Sequence, residues 1–185
     1  MRVKVNGARL FFEVVGAKLA FEGASVIEKP TLIVLHGGPG FDHTGLRNFF
    51  DRLSDAAQII YLDHRGNGRS DRSDPTYWSL RQWADDIRAF CDATEIAHPI
   101  VLGQSFGGFV AQAYAIAHPH HAQGVILSST AARMNMREVA ARIEVHGGRP
   151  AREVAERFWA IGSEDRKSTR LNSSHIQKSR MPSSA

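Results

Sequence analysis

The chain has 185 residues, 43% of them apolar and 23% charged, the proportions of about one globular domain with enough apolar material for a core. Its net charge of +4 comes from one end: residues 165–185 hold five of the 23 Lys and Arg and one of the 19 acids, leaving 18 of each in residues 1–164. A neutral body argues against nucleic acid as a partner, and the lack of any apolar run of spanning length argues against a membrane. Met1-Arg2-Val3-Lys4-Val5 alternates charged with apolar residues and has no continuous apolar segment of the signal-peptide kind, so a cytoplasmic location is expected. Cys91 has no second cysteine to pair with and lies in an amphipathic pattern, where it reads as a buried, inert thiol.

In chain order, Val3-Lys4-Val5, Leu10 to Val15 and Ala24 to Ile27 are short β-type runs, broken by Asn6-Gly7 and Gly16 in the manner of a hairpin. Thr31 to Leu35 has no polar alternation and predicts a strand covered on both faces. It runs into His36-Gly37-Gly38-Pro39-Gly40, which cannot continue a regular element. Gly45 to Ser54 predicts a short helix with Leu46, Phe49, Phe50 and Leu53 on one face. Gln58 to Leu62 is the next buried strand, and Asp63-His64-Arg65-Gly66-Asn67-Gly68-Arg69-Ser70 the loop after it. Ser79 with Gln82 forms a capping-box pattern for a helix ending near Thr94. Pro99 to Leu102 and Gly124 to Ser128 are further strands, with a helix over Phe109 to His118 between them. Strands and helices alternate through short links, so the expected fold is α/β with a mostly parallel sheet.

Gly103-Gln104-Ser105-Phe106-Gly107 stands where a strand turns at once into a helix, the setting of a nucleophile elbow. Such a turn strains the serine backbone and crowds its flanks, which the glycines relieve. Acyl transfer to a serine creates an oxyanion that two preset N–H groups can stabilise. Phe106 offers one as the residue after the serine. The His36-Gly37-Gly38 loop offers the other, and there Gly38 is favoured because the residue after His-Gly is the donor in loops of this type and Pro39 has no N–H. A plain Gly-Pro turn is the alternative for that loop.

The HGGPG run at 36–40, the DHRGNGRS loop at 63–70 and the GQSFGG elbow at 103–108, in this order and spacing, resemble the α/β-hydrolase superfamily and, within it, its proline iminopeptidase-like branch. The resemblance covers about Val3 to Ser129. It implies Ser105 as nucleophile, the N–H groups of Gly38 and Phe106 as oxyanion hole, no metal, no cofactor, and a small-molecule or short-peptide substrate. Asp63 and Arg65 are expected to brace their loop, and His64 is not read as the base. Serine rather than aspartate at 105 argues against dehalogenase and epoxide-hydrolase chemistry.

The family's later acid and histidine have no counterpart before Glu164. His118, His120 and His121 close the helix behind the elbow, and His146 precedes Gly147-Gly148 at another helix end, so all four read as ordinary helix-terminus residues. Asp165 and His175 lie in a segment that resembles a translated sequencing adapter, Asp165 to His175 matching one reading frame and Arg180 to Ala185 the downstream part. The segment is therefore excluded from fold reasoning. The expected organisation is an N-terminal part of the hydrolase core over 1–130, the start of a helical cap over 131–164, and a non-native, disordered tail over 165–185.

In the cap, Gly147-Gly148-Arg149-Pro150 separates two helices. Phe158 and Trp159 either line a pocket or pack the cap, and Glu144, Glu153 and Glu156 either hold a substrate amine or form a solvated face. Two readings stay open: an N-terminal fragment of a serine hydrolase, aminopeptidase or esterase, inactive as it stands; or a noncatalytic binding protein of the same fold. Either way the strand at Gly124 to Ser128 should be an apolar edge, and residues 1–164 expressed alone are expected to aggregate. A soluble, cooperatively unfolding monomer in sedimentation and melting experiments would overturn that expectation.

Overall fold

The computed structural model describes residues 1–133 and 135–164; the adapter-like tail, with Asp165 and His175, lies outside the described residues, as do the side chains of Phe158 and Trp159. The chain divides into two compact units, Met1–Ala132 and Arg133–Ala185. The first contains β1 (Arg2–Val5), β2 (Ala8–Val15), β3 (Leu19–Glu22), β4 (Ser25–Glu28), β5 (Thr31–Leu35), α1 (Thr44–Phe50), β6 (Gln58–Leu62), α2 (Leu80–Ala93), β7 (Ile100–Gln104), α3 (Phe106–Ala117) and β8 (Gly124–Ser128). Six of these strands form one sheet in the order β1-β2-β6-β5-β7-β8. The pairs β6–β5, β5–β7 and β7–β8 are parallel, and β1 and β2 add an antiparallel margin, so the sheet is mostly parallel as expected.

Sequence explains the layering. All five residues of β5 are buried because its side chains alternate between two cores. Ile33 and Leu35 join Ile60, Leu62 and Val101 against Ile87 and Phe90 of α2 and Val110 and Tyr114 of α3. Leu32 and Val34 join Ile59, Tyr61 and Leu102 on the other face, where Leu46 and Phe50 of α1 pack. Cys91 is fully buried in the first core, and burial pushes its thiol up to about 12, in keeping with an inert role. The β1–β2 turn has positive φ at both Asn6 (46°) and Gly7 (77°), the conformation that suits a two-residue hairpin turn.

Three local expectations are corrected. The sequence predicts one strand over Ala24 to Ile27; the structure has β3 and β4 folded on each other as a separate two-stranded sheet, with Phe21 opposite Val26. Leu19, Phe21 and Val26 are all exposed, so β3 had no buried face to imprint an alternating pattern. The helix over Gly45 to Ser54 tightens into a 3-10 turn at Asp51–Leu53, which turns Leu53 out of the stripe, and Phe49 is 71% exposed on its flank. The capping box is half formed: Ser79 Oγ accepts from Gln82 N–H at 3.2 Å, but the Gln82 side chain donates to Asp86 instead of returning to Ser79.

β8 lies at the edge of the sheet, and Val125, Ile126 and Leu127 are 36%, 46% and 49% exposed. In the second unit, α4 (Met136–Glu164) breaks at Gly148, where φ is 73°, two residues before Pro150. That is the interruption the Gly-Gly-Arg-Pro run predicts.

Candidate active site

The register of the parallel strands brings the singled-out loops together. Leu35, the last residue of β5, pairs with Leu62 at the end of β6 and with Gly103 near the end of β7. The 36–43 loop, the 63–70 loop and Ser105 therefore leave the sheet side by side at its carboxyl edge, where ligands bind in sheets of this kind.

Ser105 occupies the junction between β7 and α3 with φ 53° and ψ −114°, a conformation that costs a residue with a side chain about 1 to 3 kcal/mol. Its N–H donates to Ser128 O at 2.9 Å, tying the elbow to the end of β8. The neighbouring glycines make the turn possible. A Cβ on Gly103 would overlap the Gly107 carbonyl, one on Gly107 would overlap Leu35 O, and one on Gly108 would meet the Thr130 side chain. α3 therefore starts hard against β5 and β7, with its positive dipole end at Ser105.

The glycine loop passes directly beside the serine: a Cβ on Gly37 would lie 3.3 Å from Ser105 Cβ. Gly38 has φ 124° and Gly40 φ 98°, backbone positions that favour glycine. Gly38 N–H has no backbone acceptor among the described loop bonds, Phe106 N–H, at the first position of α3, has none within the helix, and the Ser105 side chain makes no capping bond. The loop that carries Gly38 thus lies against Ser105, and Phe106 follows it at the start of α3, the two places from which the sequence expects oxyanion donors.

Beneath this lies a braced loop. Arg65 is buried and makes two 2.7 Å bonds to Asp86 of α2, with a third to Asn6 O at 2.9 Å. Asp63 accepts from Arg69 N–H at 2.9 Å and from His43, through Nδ1 at 2.7 Å and the backbone N–H at 3.1 Å. The bracing expected of Asp63 and Arg65 is present. His36 Nδ1 is 2.6 Å from Gly37 O, and its Nε2 accepts from His64 N–H at 3.2 Å, which fixes His36 as the neutral Nδ1–H tautomer. Burial, with His36 alongside, pushes the His64 imidazole well below its ordinary value, so it sits neutral with Nε2 unpartnered among the described residues.

Sequence reasoning missed His43, since no periodic or motif signal marks it. It is fully buried, stacked on Phe11, and its Nε2 lies 3.2 Å from Glu13 Oε2 as a charge contact without hydrogen-bond geometry. Burial opposes its charge, but Asp63 and Glu13 outweigh burial and raise its pKa above 6.5. The stability it lends is full below the ordinary 6.5 and is lost as pH rises through the raised value. His43→Gln should remove that slope from urea-unfolding free energies measured from about pH 5 to 8; an unchanged slope would exclude His43 as its source.

Two further histidines are bonded elsewhere. His118, the C-cap of α3, bonds Asp85 of α2 at 2.9 Å, and His121 bonds the Tyr114 hydroxyl. These bonds dock α3 on its neighbours, a packing role beyond helix-terminus chemistry. His146 is exposed just before the α4 break. The three acids singled out in the second unit are paired: Arg152 bonds Glu144 at 2.7 Å and Glu156 at 2.8 Å, and Arg149 lies 3.3 Å from Glu153. Among the described residues no group of three or more His, Cys, Asp or Glu is placed to hold a metal ion, and no helix is long and apolar enough to cross a membrane.

Comparison with known proteins places this geometry. The sequence profile described as alpha/beta hydrolase fold matches residues 30–147. The proline iminopeptidase PfmaB of Pestalotiopsis fici is 39% identical over 126 residues, 65% of this chain and 43% of that protein. Among solved structures, a proline iminopeptidase-related protein of Thermus thermophilus superposes with TM-score 0.68 at 27% identity, covering 84% of this chain and 54% of that one. A proline iminopeptidase of Mycobacterium smegmatis gives TM-score 0.69 at 26% identity, covering 88% and 55%. The chain thus spans about half the length of the relatives it matches.

Proposed function

The chain belongs to the α/β-hydrolase fold family, and from that premise we propose that it is the N-terminal part of a serine hydrolase in which Ser105 Oγ attacks the substrate carbonyl. The observation that carries this reading is Ser105 itself, held at φ 53° on the elbow with the Gly37–Gly38 loop against it. Strain of that kind persists only where surrounding structure enforces it, and it sits here at a serine beside the glycine loop, which supports a catalytic use of the elbow. The carbonyl oxygen becomes the tetrahedral oxyanion and is held by Gly38 N–H and Phe106 N–H, with the α3 dipole adding to the field. The Ser105 proton goes to a histidine oriented by an acid, and the histidines whose bonds the structure describes are engaged away from Ser105, His43 with Asp63 and His118 with Asp85. The substrate class is an N-terminal prolyl peptide, in line with relatives named proline iminopeptidase.

The test begins with the source DNA, sequenced past codon 164. An extension encoding a late Asp and His supports the enzyme; a genuine stop codon supports a noncatalytic binding protein of the same fold. The full-length product is then assayed on proline and acetate esters and amides of one chromophore. Release from the proline amide supports the aminopeptidase, release from the acetate ester alone makes it an esterase, and turnover of none of them overturns the hydrolase reading.

A further inference from the structure

The glycine loop beside Ser105 contains Gly37, Gly38 and Gly40 within four residues, and such a backbone loses more conformational freedom on ordering than any other. Something must hold it if Gly38 N–H is to point at a fixed place. Its first residue is held by His64 N–H on His36 Nε2 and its end by Asp63 on His43. At the turn between them stands Asn67, buried to 3% exposure in the facing loop. Its Oδ1 accepts from Gly40 N–H at 2.6 Å, and its Nδ2 donates to Arg65 O at 2.9 Å. Arg65 O also receives Trp83 Nε1–H at 2.9 Å, so the carboxamide is anchored to the bracing that Arg65 and α2 provide. The Gly40 amide is in turn the atom against which Gly38 is folded: a Cβ on Gly38 would lie 3.1 Å from Gly40 N.

We propose that Asn67 is a positioning residue of the oxyanion hole, holding the Gly38–Gly40 turn through the Gly40 N–H so that Gly38 N–H is preset beside Ser105. The inference rests on the serine-hydrolase reading and adds to it a residue outside both catalytic motifs. The carboxamide suits the task because it offers an acceptor to Gly40 and a donor to Arg65 O at once, and no other uncharged side chain of that length does so. Without it Gly40 N–H loses its partner and the turn is free to swing. Misplacement of a catalytic group by about 1 Å can cost on the order of a hundredfold in rate.

The test uses the full-length enzyme. Asn67→Ala should lower kcat by about ten- to a hundredfold with KM within about twofold, because the lost term acts on the transition state and not on substrate binding. Asn67→Asp supplies a signature that mere loss of stability would not. Its protonated carboxyl reproduces the donor and acceptor of the carboxamide, and its ionised form loses the donor and faces Arg65 O. Its kcat should therefore approach the wild-type value at acidic pH and fall as pH rises, through a titration that the wild type lacks. Should either variant fail to melt cooperatively, amide hydrogen exchange of Gly40 in the unmodified enzyme decides: protection of at least about tenfold supports the bond, and exchange at the unprotected rate overturns it. Wild-type kcat in Asn67→Ala, with Ser105→Ala inactive, overturns this role alone. Full activity in Ser105→Ala overturns the hydrolase reading beneath it.

Discussion

Ser105→Ala in the full-length enzyme is expected to lower kcat by about 10⁶-fold, the scale seen when a serine nucleophile is removed from a complete triad. The substitution takes away one oxygen and leaves the Cβ that shapes the elbow, so φ 53° is no harder for alanine than for serine. Stability should stay within about 0.5 kcal/mol of the wild type, since the Ser105 side chain makes no capping hydrogen bond and the backbone bond to Ser128 O is kept. Ser105→Gly should be equally inactive yet more stable, by up to about 1 to 3 kcal/mol, because glycine adopts the elbow conformation without that strain. Steady-state kinetics with urea unfolding on both variants would check this, and turnover within about tenfold of wild type would exclude Ser105 as the nucleophile. The opposite movement of stability and activity at one residue would tie the strain to the function.

The largest stability effect is expected at Asp86. Its carboxylate receives two bonds from the Arg65 guanidinium, one from Gln82 and one from Asn6, and both charged side chains are nearly sealed from water, at 3% and 2% exposure. Asp86→Ala leaves a buried guanidinium without its counter-charge, at a cost of about 3 to 5 kcal/mol. Replacing both partners by apolar residues of similar volume should cost much less than Asp86→Ala alone, since desolvating two charges offsets most of what their attraction returns. Urea unfolding of the three proteins measures this, and a single variant within about 1 kcal/mol of wild type would show the pair to be solvated. Because Arg65 O anchors Asn67, Asp86→Ala should also lower kcat in the enzyme that remains folded.

Much of the core was legible in the residues. Thr31 to Leu35 and Gln58 to Leu62 read as strands covered on both sides because their apolar runs lack polar interruption, and all but the half-buried Gln58 are buried. The elbow was legible for a different reason: a turn that tight leaves room only for glycine at 103 and 107, and the contacts there bear this out. β3 went unread because its side chains face solvent, and Phe49 and Leu53 were misplaced because a regular helical period assumes that the helix does not tighten. His43 and Asn67 left no sequence signal, since hydrogen bonds across 20 and 27 residues of chain have no period.

The sequence by itself determined the alternation of strand and helix, the two cores, and the identity of the loops that meet at Ser105, because periodicity, glycine and proline act locally and are written residue by residue. Only the tertiary structure decided how those loops are held, that His36 is a neutral tautomer, that His43 joins Asp63 to Glu13 and that Asn67 carries the Gly40 amide, and likewise that Arg152 occupies Glu144 and Glu156. The physical reason is range. Steric limits on φ and ψ are properties of adjacent residues, whereas a buried polar atom is satisfied by whatever partner the fold carries within about 3 Å, and that partner is chosen by the register of the sheet.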